Sequence, residues 1–97
     1  MIRHVVMFRW KDEVSADHAA HTAAALRALP AAIPELVGYH VGPDLGVSDG
    51  NYDFAVVAEV NTVEDYYAYR DHPQHQAVVK EFIAPHIAAR TAVQFSS

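Results

Sequence analysis

Apolar and polar side chains alternate along residues 2–10, and an alternation of period two is typical of a β-strand. One face of this strand carries Ile2, His4, Val6, Phe8 and Trp10. The opposite face combines Val5 and Met7 with two arginines, so neither face is wholly polar. We therefore expect both faces to be at least partly covered. Similar patterns predict three further strands, in the stretches LVGYHVG, YDFAVVAEV and TAVQFSS.

The segment after the first strand predicts a helix. Ser15 is a typical N-cap residue, and Asp17 places a negative charge in the first turn, where the helix dipole favours it. The apolar stripe of this helix consists of Ala19, Ala23, Leu26 and Leu29. Pro30 and Pro34 are expected to end the helix, because a proline disfavours helical angles in the residue before it.

A second helical region, after the third strand, is expected to be broken in two. Thr62 and Asp65 form a capping signature at its start. The first piece is expected to stop near Asp71, because Pro73 disfavours helical angles at His72. Pro73 itself suits the first position of a new helix. The apolar stripe of that new helix consists of Val78, Val79, Phe82 and Ile83. His75, Val79 and Phe82 stand at positions i, i+4 and i+7, so His75 is expected to lie on the same stripe and to point toward the core.

The predicted order of elements is β-α-β-β-α-α-β, which indicates one α+β domain over residues 1–97. Four strands with helices after the first and third are typical of a ferredoxin-like antiparallel sheet with helices on one side. The other side of the sheet would carry Val5, Met7, Ala55 and Val57. These side chains are too apolar to face water, so we expect a symmetric homodimer in which a second copy covers them.

Composition narrows the possible functions. The chain has 97 residues, a formal charge of -5 and no cysteine. The acidic balance argues against binding nucleic acid or an anionic membrane, since both need a basic surface, and the lack of cysteine excludes disulfides and thiol catalysis. No apolar run approaches the roughly 18 residues of a membrane span, and the N-terminal run is too short for a signal peptide. We therefore expect a soluble, cytoplasmic protein.

The candidate chemistry lies in the stretch YAYRDHPQHQAVV, residues 67–79. In one continuous helix, Tyr69 and His75 would lie on opposite sides, since six residues correspond to about 600° of rotation. The break at Pro73 allows both side chains to reach one cavity. Tyr66 shares a face with Tyr69, and His4 projects from the inner face of the first strand. Imidazole can act as a base near neutral pH, and a phenol can donate a hydrogen bond.

Structural roles compete with this interpretation. A single histidine on an apolar stripe is more often a satisfied core residue than a catalyst, and this applies to His75 and His4. His72, directly before Pro73, has the position of a helix cap. The tyrosines could be packing aromatics with hydrated hydroxyl groups.

The remaining polar residues indicate no metal or cofactor site. His18 and His21 stand three residues apart on the first helix, but no further ligand accompanies them at a suitable spacing. The loop aspartates Asp44, Asp49 and Asp53 lack the calcium-loop pattern and are expected to be solvated turn residues. Phosphate-loop and dinucleotide-binding motifs are absent. We therefore expect no metal and no cofactor.

Three segments together resemble one known family. HVVMFRWKDE near the start, YDFAVVAEV in the middle and YYAYRDHPQHQAVV after it are similar to the stress-responsive dimeric α/β-barrel family, known as Dabb, over nearly the whole chain. The most specific part is the Tyr-x-x-His-Pro-x-His run from Tyr69 to His75. The resemblance implies a ferredoxin-like fold that pairs into a dimer through its sheets, in a family that includes olivetolic acid cyclase.

The resemblance also implies roles for individual residues. Tyr69 and His75 match the catalytic pair of the cyclase, which closes a linear polyketide by aldol condensation without a cofactor. His4 and His72 match further histidines of the pocket and are expected to contact the substrate. Gln94 stands where the cyclase pattern has an aspartate that supports the catalytic histidine. An amide can orient an imidazole, but it stabilises an imidazolium less than a carboxylate does.

The sequence leaves three functions open. The leading one is a cofactor-free lyase or cyclase that acts on an aromatic or polyketide-like compound, with His75 as base, Tyr69 as hydrogen-bond donor, and His4, His72, Tyr66 and Gln94 in the binding site. The second is a non-catalytic stress-responsive dimer that binds a small molecule or keeps a residual pocket. The third, a cofactor-independent oxygenase, rests on analogy of fold alone.

Overall fold

The computed structural model describes residues 1–97 and contains one antiparallel sheet of four strands, in the order β2-β3-β1-β4. The strands are β1 (Ile2–Trp10), β2 (Gly38–Pro43), β3 (Phe54–Val60) and β4 (Ile87–Ser96). All three neighbouring pairs are antiparallel. With helices after β1 and β3, this is the ferredoxin-like α+β arrangement that the order of elements predicts.

Four α-helices connect the strands: α1 (Ala16–Arg27), α2 (Leu29–Ala32), α3 (Val63–Asp71) and α4 (Pro73–Val78). The predicted caps are present, since the side chain of Ser15 accepts a hydrogen bond from the backbone N–H of His18, and Thr62 accepts one from that of Asp65. These two caps satisfy backbone donors that have no partner inside the helix, and so they define where α1 and α3 begin. None of the helices is long and apolar enough to cross a lipid bilayer.

The end of the first helix differs from the prediction. α1 stops at Arg27, before Pro30, and Pro30 lies within the separate short helix α2. A proline is tolerated in the first turn of a helix, because the N–H groups there lack intrahelical partners. Pro30 therefore helps to start a helix, and the expectation that it ends α1 is wrong.

The core lies between the sheet and the helices. The inner face of β3 is almost fully buried, at Phe54, Val56, Ala58 and Val60. α1 contributes Leu26, which is 1% exposed, and the loop after α2 contributes Ile33, which is 0% exposed. Burial of one complete strand face sets the register of the sheet, because a shift by one residue would turn this face to the opposite side.

The segment after α4 widens into a π-helical turn, Val79–Ile83, followed by a 3₁₀ turn, Ala84–His86. A π turn holds more residues than an α turn, so it changes the direction of the following side chains. His75 and Val79 share one face as predicted, but the third residue on that face is Ile83. Phe82 instead lies beside His18 of α1, with ring centroids 6.1 Å apart. The predicted stripe of His75, Val79 and Phe82 is therefore wrong at its last position.

The outer face of the sheet is apolar and open. Val5 and Val57 pair across β1 and β3, and Met7 pairs with Ala55 beside them. β4 extends this surface with Val93 and Phe95, which are 57% and 45% exposed. The outer face is defined here as Val5, Met7, Ala55, Val57, Val93 and Phe95. An exposed apolar surface of this extent on one side of a sheet is typical of an interaction site.

Candidate active site

A cavity of about 300 Å³ lies on the inner side of the sheet, between the strands and the helical segments around Pro73. Ten of its 15 lining residues are hydrophobic, a count that includes Tyr66 and Tyr69 together with residues such as Val6, Val56 and Ile83. Its polar lining comes from His4, Tyr66, Tyr69, Arg70, His75, Gln76 and Arg90. Apolar walls with a few convergent polar groups are the usual form of a small-molecule site.

The break between α3 and α4 brings Tyr69 and His75 together at this cavity. His72 is in an extended conformation and ends α3, and Pro73 begins α4. The ring centroids of Tyr69 and His75 are 4.2 Å apart. Because a continuous helix would separate these two side chains, the proline break is the structural cause of their pairing.

The orientation of His75 is set by the backbone of α3. Its Nδ1 lies 2.9 Å from the carbonyl oxygen of Arg70, and since a carbonyl only accepts, Nδ1 carries the proton. Nε2 of the neutral ring therefore keeps its lone pair and makes no hydrogen bond within the protein. Burial lowers the pKa of His75 below its usual value of 6.5, against a smaller opposing effect of the Arg70 hydrogen bond. At neutral pH the ring is therefore neutral and able to accept a proton.

His4 shows the opposite arrangement of its ring nitrogens. Gln94 donates from its side-chain amide to Nδ1 of His4 at 3.0 Å, so the proton of the neutral ring lies on Nε2. His4 is 6% exposed, and its ring lies 4.9 Å from that of Tyr66. Burial lowers the pKa of His4, and so do the positive charge of Arg90 and, whenever its ring is protonated, that of His75. His4 is thus a neutral hydrogen-bond donor beside a neutral acceptor, His75.

Tyr39 belongs to this cluster, although sequence analysis did not single it out. Its hydroxyl group lies 2.9 Å from that of Tyr69, and burial raises the pKa of Tyr39 to about 12. Burial and the neighbouring Tyr39 also raise the pKa of Tyr69, so Tyr69 remains protonated at neutral pH. The signal was present in LVGYHVG, because Tyr39 shares a strand face with Val41 and that face points inward.

His72 does not line the cavity. Its Nδ1 accepts a hydrogen bond of 3.1 Å from the backbone N–H of Gln74, which makes it the N-cap of α4. The position before Pro73 favours this role, since the residue there is extended and the next helix begins directly after it. The implied contact between His72 and a substrate is therefore not supported by the geometry of this chain.

Gln94 lies behind His4 and is not part of the cavity lining, and it supports a different histidine from the one expected. It faces His4 across the β1–β4 ladder, and no hydrogen bond joins it to His75. The carbonyl of Arg70 takes the place beside His75 that the resemblance assigned to the last strand. The expectation that Gln94 orients His75 is wrong, because the register of β4 places its amide opposite His4.

The histidines and aspartates outside the cavity have structural contacts. His18 lies 2.7 Å from the carbonyl of Phe82 and next to His86, with ring centroids 4.2 Å apart, whereas His21 is exposed. Asp44 accepts hydrogen bonds from the backbone of Gly46 and the side chain of Asn51. No group of three or more His, Asp or Glu side chains is arranged to hold a metal ion.

The cavity is positively charged, although the protein carries a formal charge of -5. No aspartate or glutamate lines it, whereas Arg70 and Arg90 do. Arg70 forms an ion pair with Asp71 at 2.8 Å, but Arg90 has no ion pair or hydrogen bond to another residue. Sequence analysis did not identify Arg90, because the predicted fourth strand began at Thr91, whereas β4 begins at Ile87.

Fold and cavity together define a class of protein: a small ferredoxin-like α+β domain with an apolar cavity lined by histidines and tyrosines. The chain belongs to the stress responsive A/B barrel domain family, Dabb, whose model matches residues 2–97. This confirms the family that the sequence motifs resemble.

Individual relatives agree with this assignment. An uncharacterized protein of Streptomyces coelicolor is 35% identical over 81 residues, which cover 81% of this chain and 84% of the relative. A dimeric ferredoxin-like protein of unknown function from Thermobifida fusca has a TM-score of 0.92 and 51% identity, with 99% of this chain and 90% of that chain covered. A hydroxynitrile lyase from Passiflora edulis has a TM-score of 0.82, with 97% of this chain and 90% of that chain covered; its identity of 22% indicates a shared fold only.

Proposed function

We propose that this protein is a cofactor-free acid–base catalyst that acts on a small, largely apolar carbonyl compound, in a lyase or cyclase type of reaction. The observation that carries the proposal is the orientation of His75. Its Nδ1–H is held by the Arg70 carbonyl, so the lone pair of Nε2 remains available beside the Tyr69 ring. A neutral imidazole in an apolar cavity is suited to remove a proton from a carbon next to a carbonyl group.

Tyr69 would act as a hydrogen-bond donor in this reaction. Its raised pKa keeps the phenol protonated, so it cannot compete with His75 as a base. When Tyr39 donates to the Tyr69 oxygen, the Tyr69 proton is free to bind the oxygen on which enolate charge develops. Donors that are already in place stabilise such charge effectively, because they need no reorganisation when the charge develops.

Substrate positioning would fall to His4 and Tyr66. His4 presents its Nε2–H, which has no acceptor within the protein, and a ligand carbonyl is a suitable partner. Tyr66 packs against the His4 ring and forms part of the cavity wall. Gln94 would hold the tautomer of His4, acting through it rather than touching the substrate.

In the proposed reaction, His75 Nε2 takes a proton from the carbon next to a carbonyl group. The electron pair of that C–H bond moves into the enolate, whose oxygen accepts a hydrogen bond from Tyr69. The enolate carbon then either attacks a second carbonyl of the same molecule, whose oxygen takes the proton from the His75 imidazolium to become a hydroxyl group, or regains that proton itself. Both outcomes conserve atoms and electrons without a redox partner.

Binding without turnover is the second candidate function, and one observation favours it. His75 is supported by a backbone carbonyl rather than by a carboxylate. A carbonyl dipole stabilises the imidazolium formed after proton transfer less than a full negative charge would. The same cavity would then hold its ligand without accelerating a reaction.

We also propose that the chain forms a homodimer through the outer face of its sheet. The Thermobifida fusca structure, at 51% identity, is described as dimeric, and the outer face of this chain is apolar and exposed. A second copy would bury Val93, Phe95 and their neighbours, while the cavity on the inner side would remain separate from this contact.

Exchange of carbon-bound protons tests the catalytic proposal without knowledge of the natural substrate. Phenylacetone in D₂O gains deuterium next to its carbonyl group when a base forms the enolate, and proton NMR records the rate. We expect the wild type to accelerate this exchange. His75→Ala should lose about a hundredfold of the acceleration, since a positioned general base contributes at least that much. Tyr69→Phe should lose a smaller part of this acceleration of exchange.

His21→Ala and Tyr67→Phe are the matched controls, because both side chains are exposed and lie outside the cavity. They should leave the rate unchanged. If phenylacetone binds to the wild type but its exchange is not accelerated, the binding function is correct and the catalytic one is not. Equal acceleration by the wild type and His75→Ala would show that His75 is not the base.

A further inference from the structure

Arg90 is a charged residue of the cavity lining that has no role in the proposed acid–base reaction. It lies on β4 directly opposite Phe8 of β1, so its side chain is on the inner face of the sheet, toward the cavity. Arg90 is exposed to solvent where it borders the cavity, and none of the 12 acidic side chains of the protein pairs with its guanidinium. Its five N–H donors are therefore available to an anion that enters the cavity from outside.

The surroundings explain why Arg90 remains without a partner. The three ion pairs of the structure use Glu59 and Asp71, and both carboxylates lie outside the cavity lining. Arg70, the other cation of the lining, is already neutralised by two hydrogen bonds to Asp71. A single guanidinium therefore determines the charge of an otherwise uncharged, mainly apolar site.

We infer that Arg90 determines specificity by binding the carboxylate of a largely apolar substrate whose carbonyl end reaches His75 and Tyr69. A guanidinium matches a carboxylate with two parallel hydrogen bonds. One unpaired guanidinium balances the single charge of a carboxylate, whereas a phosphate monoester carries nearly two charges and would need a second cation. The inferred substrate is therefore an aromatic or aliphatic keto acid.

The spacing of residues along β4 allows the two ends of one ligand to be bound by different groups. Gln94, which holds His4, and Arg90 are four residues apart on this strand, or about 13 Å between their Cα atoms. The anion-binding group and the histidines thus enter the cavity at different positions along the sheet. A cavity of about 300 Å³ holds one aromatic ring with a short substituent at either end.

This inference rests on the proposed function, so its test uses two probes that differ only in charge. 4-Acetylbenzoate carries a ketone and a carboxylate, and 4-acetylbenzamide is its neutral analogue of nearly the same shape. Affinity is measured by NMR titration, with the His75 ring signals reporting binding in the cavity. The wild type should bind the acid roughly fivefold more tightly than the amide, as expected for one ion pair at a solvent-exposed guanidinium.

Arg90→Gln should remove this preference and leave the affinity for the amide unchanged. Lys80→Gln is the matched control, because it removes the same charge from an exposed residue outside the cavity lining, and the preference should persist. Arg90→Lys should retain part of the preference, since an ammonium keeps the charge but loses the planar pair of donors.

Three results would overturn the role of Arg90. They are equal affinity of the wild type for both probes, an unchanged preference in Arg90→Gln, and failure of both probes to shift the His75 signals. The phenylacetone experiment is independent of these measurements, since that probe has no carboxylate. Loss of the acid preference together with normal exchange would refute the specificity role alone. Normal preference without exchange would refute catalysis alone.

Discussion

At the scale of single residues, the site depends on which nitrogen of each histidine carries its proton. The Arg70 carbonyl holds the proton of His75 on Nδ1, and the Gln94 amide holds that of His4 on Nε2. The cavity therefore contains one imidazole acceptor and one imidazole donor. Tyr69, protonated and joined to Tyr39, adds a second donor. This set can bind a carbonyl oxygen and remove a neighbouring proton.

The pH dependence follows from the same two histidines. Burial lowers the pKa of His75 and of His4 below 6.5. A base is active in its deprotonated form, so the rate of phenylacetone exchange should rise with pH through the lowered pKa of His75, with its midpoint below pH 6.5. Titration of the ring signals by NMR gives the two midpoints directly. A titration midpoint above 6.5 for His75 would show that burial is not the dominant influence on its pKa.

At the scale of elements, the break between α3 and α4 determines the shape of the site. Thr62 starts α3, Pro73 starts α4, and His72 between them caps the second helix. The π turn after α4 then rotates the chain so that Ile83, not Phe82, reaches the cavity. Two departures from regular α-helix, one at each end of α4, thus decide which side chains line the site.

The cap can be tested separately from the cavity. His72→Ala removes the acceptor for the Gln74 N–H and should lower the free energy of unfolding by about 1 kcal/mol, as loss of an N-cap does. The affinity for phenylacetone should change little, because His72 is outside the cavity lining. Urea denaturation measures the first quantity and NMR titration the second.

Gln74→Ala serves as the control, since it keeps the backbone N–H that the cap uses and removes only an exposed side chain. Its unfolding free energy should remain close to that of the wild type. Unchanged stability of His72→Ala combined with a large loss of affinity would assign His72 to ligand binding, as the family motif implied.

At the scale of the whole molecule, the sheet separates the cavity from the exposed apolar surface. Its inner face holds the core and the cavity, while its outer face presents apolar side chains from β1, β3 and β4. The proposed dimer uses only the outer face. A ligand could therefore bind to each subunit without disturbing the contact between the two copies.

The dimer is tested by placing a charge on the outer face. The wild type should have roughly twice the 10.7 kDa mass of one chain in light scattering. Val93→Lys should shift the protein toward the monomer, because a lysine that is buried within an apolar contact must be desolvated. Val63→Lys is the control, since Val63 is 49% exposed in the first turn of α3, a helix on the inner side of the sheet, and it should leave the mass unchanged. A wild type of monomeric mass would refute the dimer.

Much of this architecture follows from local sequence rules. The alternation in residues 2–10, the caps at Ser15 and Thr62, and the break at Pro73 each depend on neighbouring residues, and each is present in the structure. The predictions that the structure contradicts also concern local features of the chain. Pro30 has two possible roles at a helix end, and the π turn after α4 has no clear sequence signature, so Phe82 was assigned to the wrong face.

The sequence by itself determined the family, the ferredoxin-like order of elements, the apolar outer face and the meeting of Tyr69 with His75 across the proline break. Only the tertiary structure decided the pairing of His4 with Gln94, 90 residues apart, and of Tyr39 with Tyr69, 30 residues apart. It also placed the charge of Arg90 in a cavity without acids. Periodicity and capping are short-range properties of the chain, whereas partners across a sheet depend on register, which the packing of the whole core sets.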